Sequence, residues 1–322
     1  MPRMKTIAAA VGILSSSLLI GCRQQPSLIA VIPRTTGTLL WEPMHMGAAE
    51  VARTDGLHMY WNAPADEGDT EKQLSFIDLS IARGFRGLIF APDETLASRS
   101  LVLQVVNSGR PVVIVDDQLG PPAGPLLCYV ANDEELGARL AADRVAKILR
   151  GNGSIAVIGI SSRLESGILR EQSFEKALSS IAPNIRVEIR HYGDSVVTHQ
   201  QLIADEILKH HQHIDAIVAL SGTATRGAYF AKIAADARSP VKIVGFDQDL
   251  LLPIQSGDVD SVVVQNTRAI GQTAMRNLNS QLRGEKVKNV TLVAPILLTR
   301  ESSHSAEIDK LWDFVRYPWK QQ

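Results

Sequence analysis

Residues 111–117 read Pro-Val-Val-Ile-Val-Asp-Asp, four apolar residues in a row closed by two carboxylates. A strand wetted on one face alternates polar and apolar residues, whereas a strand covered on both faces reads as continuously apolar. The segment therefore predicts a strand inside a parallel sheet, with Asp116 and Asp117 at its carboxyl end. Working outward, comparable runs recur at Leu28 to Pro33, Leu57 to Asn62, Gly87 to Ala91, Leu127 to Ala131, Ser154 to Ile160, Arg186 to Tyr192, Ala216 to Leu220, Val241 to Phe246 and Ser261 to Gln265. Between them lie segments of helical period. In Thr70 to Arg83, Leu74, Ile77 and Ile81 share one face, and in Asp133 to Arg150, Leu136, Leu140 and Ile148 do so. Gly56, Gly84, Gly109, Gly151 and Gly257 each fall just past a helical stretch, where a C-terminal cap needs positive φ. Strand and helix in repeated alternation mean an α/β fold with doubly wound parallel sheets.

In such sheets a ligand binds outside the carboxyl ends of the strands, so the residues that end each strand carry the chemistry. Those ends are Pro33-Arg34-Thr35, Pro92-Asp93, Asp116-Asp117, Asn132-Asp133, Gly193-Asp194, Ser221-Gly222, Asp247 and Gln265-Asn266. They form a coherent polar set around an expected pocket. A length of 322 residues suggests two lobes. With 33 basic against 34 acidic residues there is no cationic excess to neutralise a phosphate backbone, which excludes nucleic-acid binding by bulk charge.

The N-terminal segment has its own logic. Arg3 and Lys5 precede an apolar run from Ile7 to Ile20, as long as the core of an export signal and shorter than the roughly 20 residues that span a bilayer. The run ends Leu19-Ile20-Gly21-Cys22, which resembles the lipobox of bacterial lipoproteins. That resemblance implies a signal peptide over 1–21, lipid on Cys22, a polar tether over 22–27, and a protein held at the periplasmic face of a bacterial membrane. Cys128, alone on an apolar stretch, reads as a small buried hydrophobe.

Four segments in order, Val112-Val113-Ile114-Val115-Asp116, Val130-Ala131-Asn132-Asp133 with Gly137, Ile243-Val244-Gly245-Phe246-Asp247, and Val264-Gln265 with Ile270-Gly271, resemble the ribose-binding-like periplasmic sugar-binding proteins. The resemblance runs from Leu28 to Arg300. It implies two doubly wound Rossmann-like lobes joined by a three-segment hinge, one of residues 27–131 plus 266–294, the other of 132–265 plus 295–304, with the ligand between them. It also implies ligand contacts at Trp41, whose face suits the C–H face of a sugar, at Asp116 and Arg170, which read neighbouring hydroxyls by charge-assisted hydrogen bonds, and at Asp247 and Gln265.

Three positions depart from that family's pattern. Asp117 stands where the ribose binders carry a second Arg, Ser221 where they carry Asn, and Thr38-Leu39-Leu40 where they carry Asn-Pro-Phe. With Asp116, Asp117 and Asp247 set against Arg170, the expected ligand is small and polyhydroxylated, a sugar or a donor-richer relative of one.

The resemblance implies an extracytoplasmic solute-binding lipoprotein that delivers its ligand to an ABC permease in the inner membrane. The runner-up is a receptor subunit that signals to a sensor kinase or chemoreceptor, and the third choice is a hydrolase on the same fold. No enzyme is expected, nor any cofactor: the chain holds neither GxGxxG nor GxxxxGK, and no nucleophile elbow. His210-His211-Gln212-His213 is read as a solvated cluster at a helix end in preference to a metal site. Residues 305–322 hold Trp312, Phe314, Tyr317 and Trp319 and read either as a helix packed on a lobe or as a docking surface.

Overall fold

The computed structural model describes residues 28–305 and Ile308, apart from 118, 162–163, 195, 236–238 and 247–249, and only the backbone of Leu39. Cys22 and its flanks, Asp247 and the aromatic residues of the tail lie outside the described residues. The first half runs β1 (Leu28–Ile32), α1 (Glu42–Thr54), β2 (His58–Trp61), α2 (Thr70–Ala82), β3 (Gly87–Phe90), α3 (Thr95–Asn107), β4 (Val112–Asp116) and β5 (Leu127–Asn132). The chain continues through α4 (Glu134–Ile148), β6 (Asn152–Ile160), α5 (Glu165–Ile181), β7 (Asn184–Tyr192), α6 (Val197–His210), β8 (Ala216–Ala219) and α7 (Gly222–Ala235). It ends with β9 (Lys242–Phe246), α8 (Leu251–Ser256), β10 (Ser261–Val264), α9 (Thr267–Leu282), β11 (Val290–Val293) and β12 (Ile296–Thr299).

Two six-stranded sheets result, in the orders β11-β5-β4-β3-β1-β2 and β12-β10-β9-β8-β6-β7. Every described pairing is parallel except β12 on β10. The strands buried on both faces, β1, β3, β4, β5, β8 and β10 among them, are those that read as continuously apolar. β11 is absent from the sequence reading for the converse reason: an edge strand that alternates between exposed and half-buried positions lacks that signature. β5 also runs one residue further than read, because Asn132 pairs with Val293.

Helices cover both faces of each sheet. In the first, α1 and α9 share a core with Ile29, Val31, Ile89 and Val113, while α2 and α3 pack with Ile32, Phe90 and Ile114 on the other side. Met44, Met275 and Leu278 are fully buried between α1 and α9, each contributing roughly 1.5–3 kcal/mol of apolar burial. Those two helices touch backbone to backbone, since a Cβ on Gly271 would lie 2.2 Å from the Met44 carbonyl oxygen. That explains the glycine of the Ile270-Gly271 pair. In the second sheet α6 and α7 cover one face and α4 and α5 the other.

The chain passes between the sheets three times, after β5, after β10 and after β11. In each sheet the winding reverses beside one central strand, between β1 and β3 in the first and between β6 and β8 in the second. The loops leaving those strands diverge to opposite faces and open a crevice there.

Candidate ligand-binding cleft

The two crevices face one another and enclose a cavity of about 110 Å³. Arg34, Thr38, Leu40 and Glu67 line it from the first lobe, and Ser161, Arg170, Ser221, Thr223, Arg226 and Phe246 from the second, with Gln265 on a crossing segment. Apart from Thr38 and Glu67, which sit on loops, every polar member named lies at or just beyond a strand end or in the first turns of the following helix.

On the second lobe's wall, Arg170 is held as a flat fork. Its Nε and Nη2 donate to the two carboxylate oxygens of Glu134 at 2.5 and 2.9 Å, and Nη1 donates to the Leu220 carbonyl at 2.7 Å. The guanidinium lies 4.5 Å from the centroid of the Phe246 ring, a cation–π contact. Burial opposes the Arg170 charge, but Glu134 outweighs it and raises the guanidinium pKa. Glu134 opens α4 and Arg170 lies in the second turn of α5, so the packing of those two helices fixes the fork. Phe246 is fixed in turn by its amide, which donates to Thr225 Oγ1 at 3.0 Å. Ser221 Oγ accepts from the Ala224 amide at 3.3 Å at the start of α7, which leaves the hydroxyl on the cavity wall.

The first lobe's wall is organised by Arg34. Its Nε donates to the Pro92 carbonyl at 2.8 Å, and its Nη2 pairs with Asp116 Oδ2 at 2.6 Å. Nη1 faces Glu67 at 3.9 Å, and the guanidinium carbon stands 5.6 Å from the Trp41 ring centroid. Burial opposes this charge too, and Asp116 and Glu67 more than offset it, raising the pKa of Arg34. Burial also pushes the Glu67 carboxyl up, against the pull of Arg34. The loop carrying Glu67 is tied down by Asp93, which accepts from the Gly68 amide at 3.0 Å and from Thr70 Oγ1 at 2.6 Å. Asp116 has φ +70°, a left-handed conformation that a short carboxylate side chain tolerates better than most residues.

Several sequence expectations are thereby relocated. Trp41 does not line the cavity: at 1% exposure it packs with the α1–α9 core at the end of a short helical turn, with the Arg34 guanidinium over its ring. Asp116 is buried behind Arg34. Asp117, 1% exposed, turns to the other lobe, where its Oδ1 accepts from the Ser166 amide at 3.1 Å at the start of α5, while Thr95 Oγ1 donates to Oδ2 at 3.4 Å. Arg170, Ser221 and Gln265 do lie on the cavity wall. The expected acidic imbalance is corrected as well, since Arg34 and Arg226 join Arg170 there. Sequence reasoning placed Arg34 among the polar strand ends without assigning it a ligand contact, and passed over Glu67, Glu134 and Arg226. Arg34 had a signal, its place at the end of β1; Glu67 sits mid-loop and Arg226 within a helix, and nothing local marks either.

Among the described residues, no group of three or more His, Cys, Asp or Glu is arranged to hold a metal ion. His213 pairs instead with Glu188 at 2.6 Å, and His210 lies 3.7 Å from Glu206. No described helix is long and apolar enough to cross a membrane.

Residues 29–286 match the family model described as the periplasmic binding protein domain. Among similar characterised chains are the D-apiose import binding protein of Paraburkholderia graminis, 24% identical over 282 residues (86% of this chain, 88% of that one), and the D-allose-binding periplasmic protein of Escherichia coli, 25% identical over 288 residues (84% and 91%). Among solved structures, a carbohydrate transporter solute-binding protein from Agrobacterium radiobacter in complex with D-arabinose superposes with a TM-score of 0.82 at 21% identity, covering 89% of this chain and 99% of that one.

Proposed function

We propose, because the chain belongs to the periplasmic binding protein domain family, that it captures a small sugar or sugar-like polyol between its lobes and delivers it to an ABC transporter. The observation that carries this reading is the cavity between the two switch points, walled by charged and hydroxyl side chains that are themselves held by buried partners. A polyol needs such a wall, because a hydroxyl taken out of water without a partner costs more than a formed bond returns. Relatives named for sugar binding and import support a binding role. Contacts from both lobes would favour the closed form by no more than the ligand's differential affinity for closed and open states. A permease would then recognise the closed shape.

Titration calorimetry of the purified protein against pentoses, hexoses, amino sugars and polyols tests the reading. A saturable heat with one ligand, lost in Arg170→Met, is the expected result, and silence across the whole panel would count against it. We further propose that Cys22 carries lipid and tethers the protein at the periplasmic face of the membrane. Cys22→Ser should then move the protein from the membrane fraction to the soluble one.

A further inference from the structure

We infer that Arg34 is a built-in tenant of the first lobe's half of the site, and that it selects a small, unstacked polyol in place of a pyranose stacked on Trp41. This rests on the binding reading above. A sugar-binding wall has two uses for a lobe surface of this kind: an aromatic face for the ring's C–H bonds and a carboxylate for neighbouring hydroxyls. Both are present, as Trp41 and Asp116, and Arg34 lies against both: Nη2 is 2.6 Å from Asp116 Oδ2 and the guanidinium carbon 5.6 Å from the Trp41 centroid. Neither Trp41 nor Asp116 lines the cavity, whereas Arg34 does. The anchor is firm, because Nε is fixed on the Pro92 carbonyl at 2.8 Å and the side chain is buried.

What Arg34 offers instead follows from its remaining donors. A guanidinium has five N–H groups, and Nη1 faces Glu67 across 3.9 Å, too long for a hydrogen bond. A hydroxyl inserted there accepts from Nη1 and donates to Glu67. Thr38 Oγ1, also on the cavity wall, is buried with no hydrogen-bond partner among the described residues. The first lobe thus reads hydroxyl positions by a donor, an acceptor and a hydroxyl, within about 110 Å³, and among the described residues it presents no aromatic ring to the cavity.

Arg34→Ala removes the tenant. Measured by calorimetry with erythritol, D-ribose, D-arabinose, D-allose and D-glucose, the variant should shift the ratio of hexose to smaller-polyol affinity upward by at least tenfold. An unchanged ratio would overturn the inference, even if every affinity fell. A second readout needs no ligand: acrylamide quenching of Trp41, isolated as the difference between each protein and its Trp41→Phe counterpart. Trp41 should be shielded in the wild type and at least threefold more quenchable in Arg34→Ala. Equal shielding in both would refute the tenancy whatever the sugars do, while a gain in quenching with no sugar bound by either protein would place the failure in the binding reading. Because Arg34→Ala leaves Asp116 buried without its cation, Arg34→Ala with Asp116→Asn serves for the quenching measurement if the single variant does not fold.

Discussion

The two walls of the cleft are built on one plan, a strand end feeding a helix, yet they hold a buried arginine in different ways. In the second lobe Arg170 is matched oxygen for nitrogen by Glu134, both residues lying on adjacent helices, with Phe246 as a floor. In the first lobe Arg34 sits on the segment between β1 and α1 and shares its charge between Asp116 at 2.6 Å and Glu67 at 3.9 Å. The first arrangement is a two-body lock on rigid elements. The second spreads one charge over two carboxylates, one at the end of β4 and one on a loop, and leaves Nη1 3.9 Å from Glu67, beyond hydrogen-bond reach. A lock suits a wall that stays the same whatever is bound, and a shared charge suits a wall whose last hydrogen bond comes from the ligand.

The difference is broken most severely at Glu134. Replacing it by Ala leaves the Arg170 charge buried with one carbonyl as its remaining hydrogen-bonded partner, and removing one member of a buried pair costs about 3–5 kcal/mol. Urea denaturation should show a loss of that order for Glu134→Ala. Most of it should be recovered when Arg170→Met is added, because the penalty lies in the orphaned charge. Asp116→Asn should cost less, about 1–2 kcal/mol, since Glu67 still faces Arg34 and the amide oxygen remains an acceptor. Equal losses at the two sites would erase the distinction between a lock and a shared charge.

A second prediction sharpens the contrast at Asp117, which belongs to the first lobe yet caps a helix of the second. A carboxylate at a helix N-terminus is worth roughly 0.5–2 kcal/mol, and here that contribution exists only while the lobes are together. Asp117→Ala should therefore weaken every ligand by the same factor, about two- to thirtyfold, and small-angle scattering of the unliganded protein should show a larger radius of gyration. If the variant instead reorders ligand preference, Asp117 is a ligand contact, as the sequence reading had it, and not an interlobe cap.

What was legible in the sequence follows the range of the interactions. The buried strands were readable because burial on both faces writes itself into consecutive residues, and the helix ends because positive φ demands glycine, as at Gly56 and Gly257. The second lobe's wall was partly readable, for Arg170 carries a residue type and spacing that the family resemblance fixes. The first lobe's wall was not. Trp41 was assigned by the same register, but whether an aromatic faces a cleft or a core depends on what lies over it, and Arg34 is seven residues away with its partners at 67, 92 and 116. Glu134 was missed because its significance lies in Arg170, 36 positions further on. Local patterns show which strand end faces a pocket; they do not show which side chain has already claimed its neighbour.

The smallest effect is silent at neutral pH and separates the lobes by alkaline titration. Burial pushes the Cys128 thiol up to about 11 and the Tyr129 phenol up to about 12, and both stand on β5 of the first lobe. In each case the fold favours the neutral form, Tyr129 by donating to the Pro121 carbonyl at 2.5 Å. Their contribution is therefore fully present below the unfolded values of about 9 for the thiol and about 10 for the phenol, and is lost as pH rises from there through about 11 and 12. Hydrogen exchange at pH 7 and again near 10.5 should show β4 and β5 losing protection ahead of β8 and β9. In Cys22→Ser, the Cys128 thiol should resist a disulfide reagent at pH 8 and yield to it over the same alkaline range. If β8 and β9 lose protection in step with β4 and β5, the lobes unfold as one unit, and the contrast between their walls is confined to the cleft and does not extend through the sheets behind it.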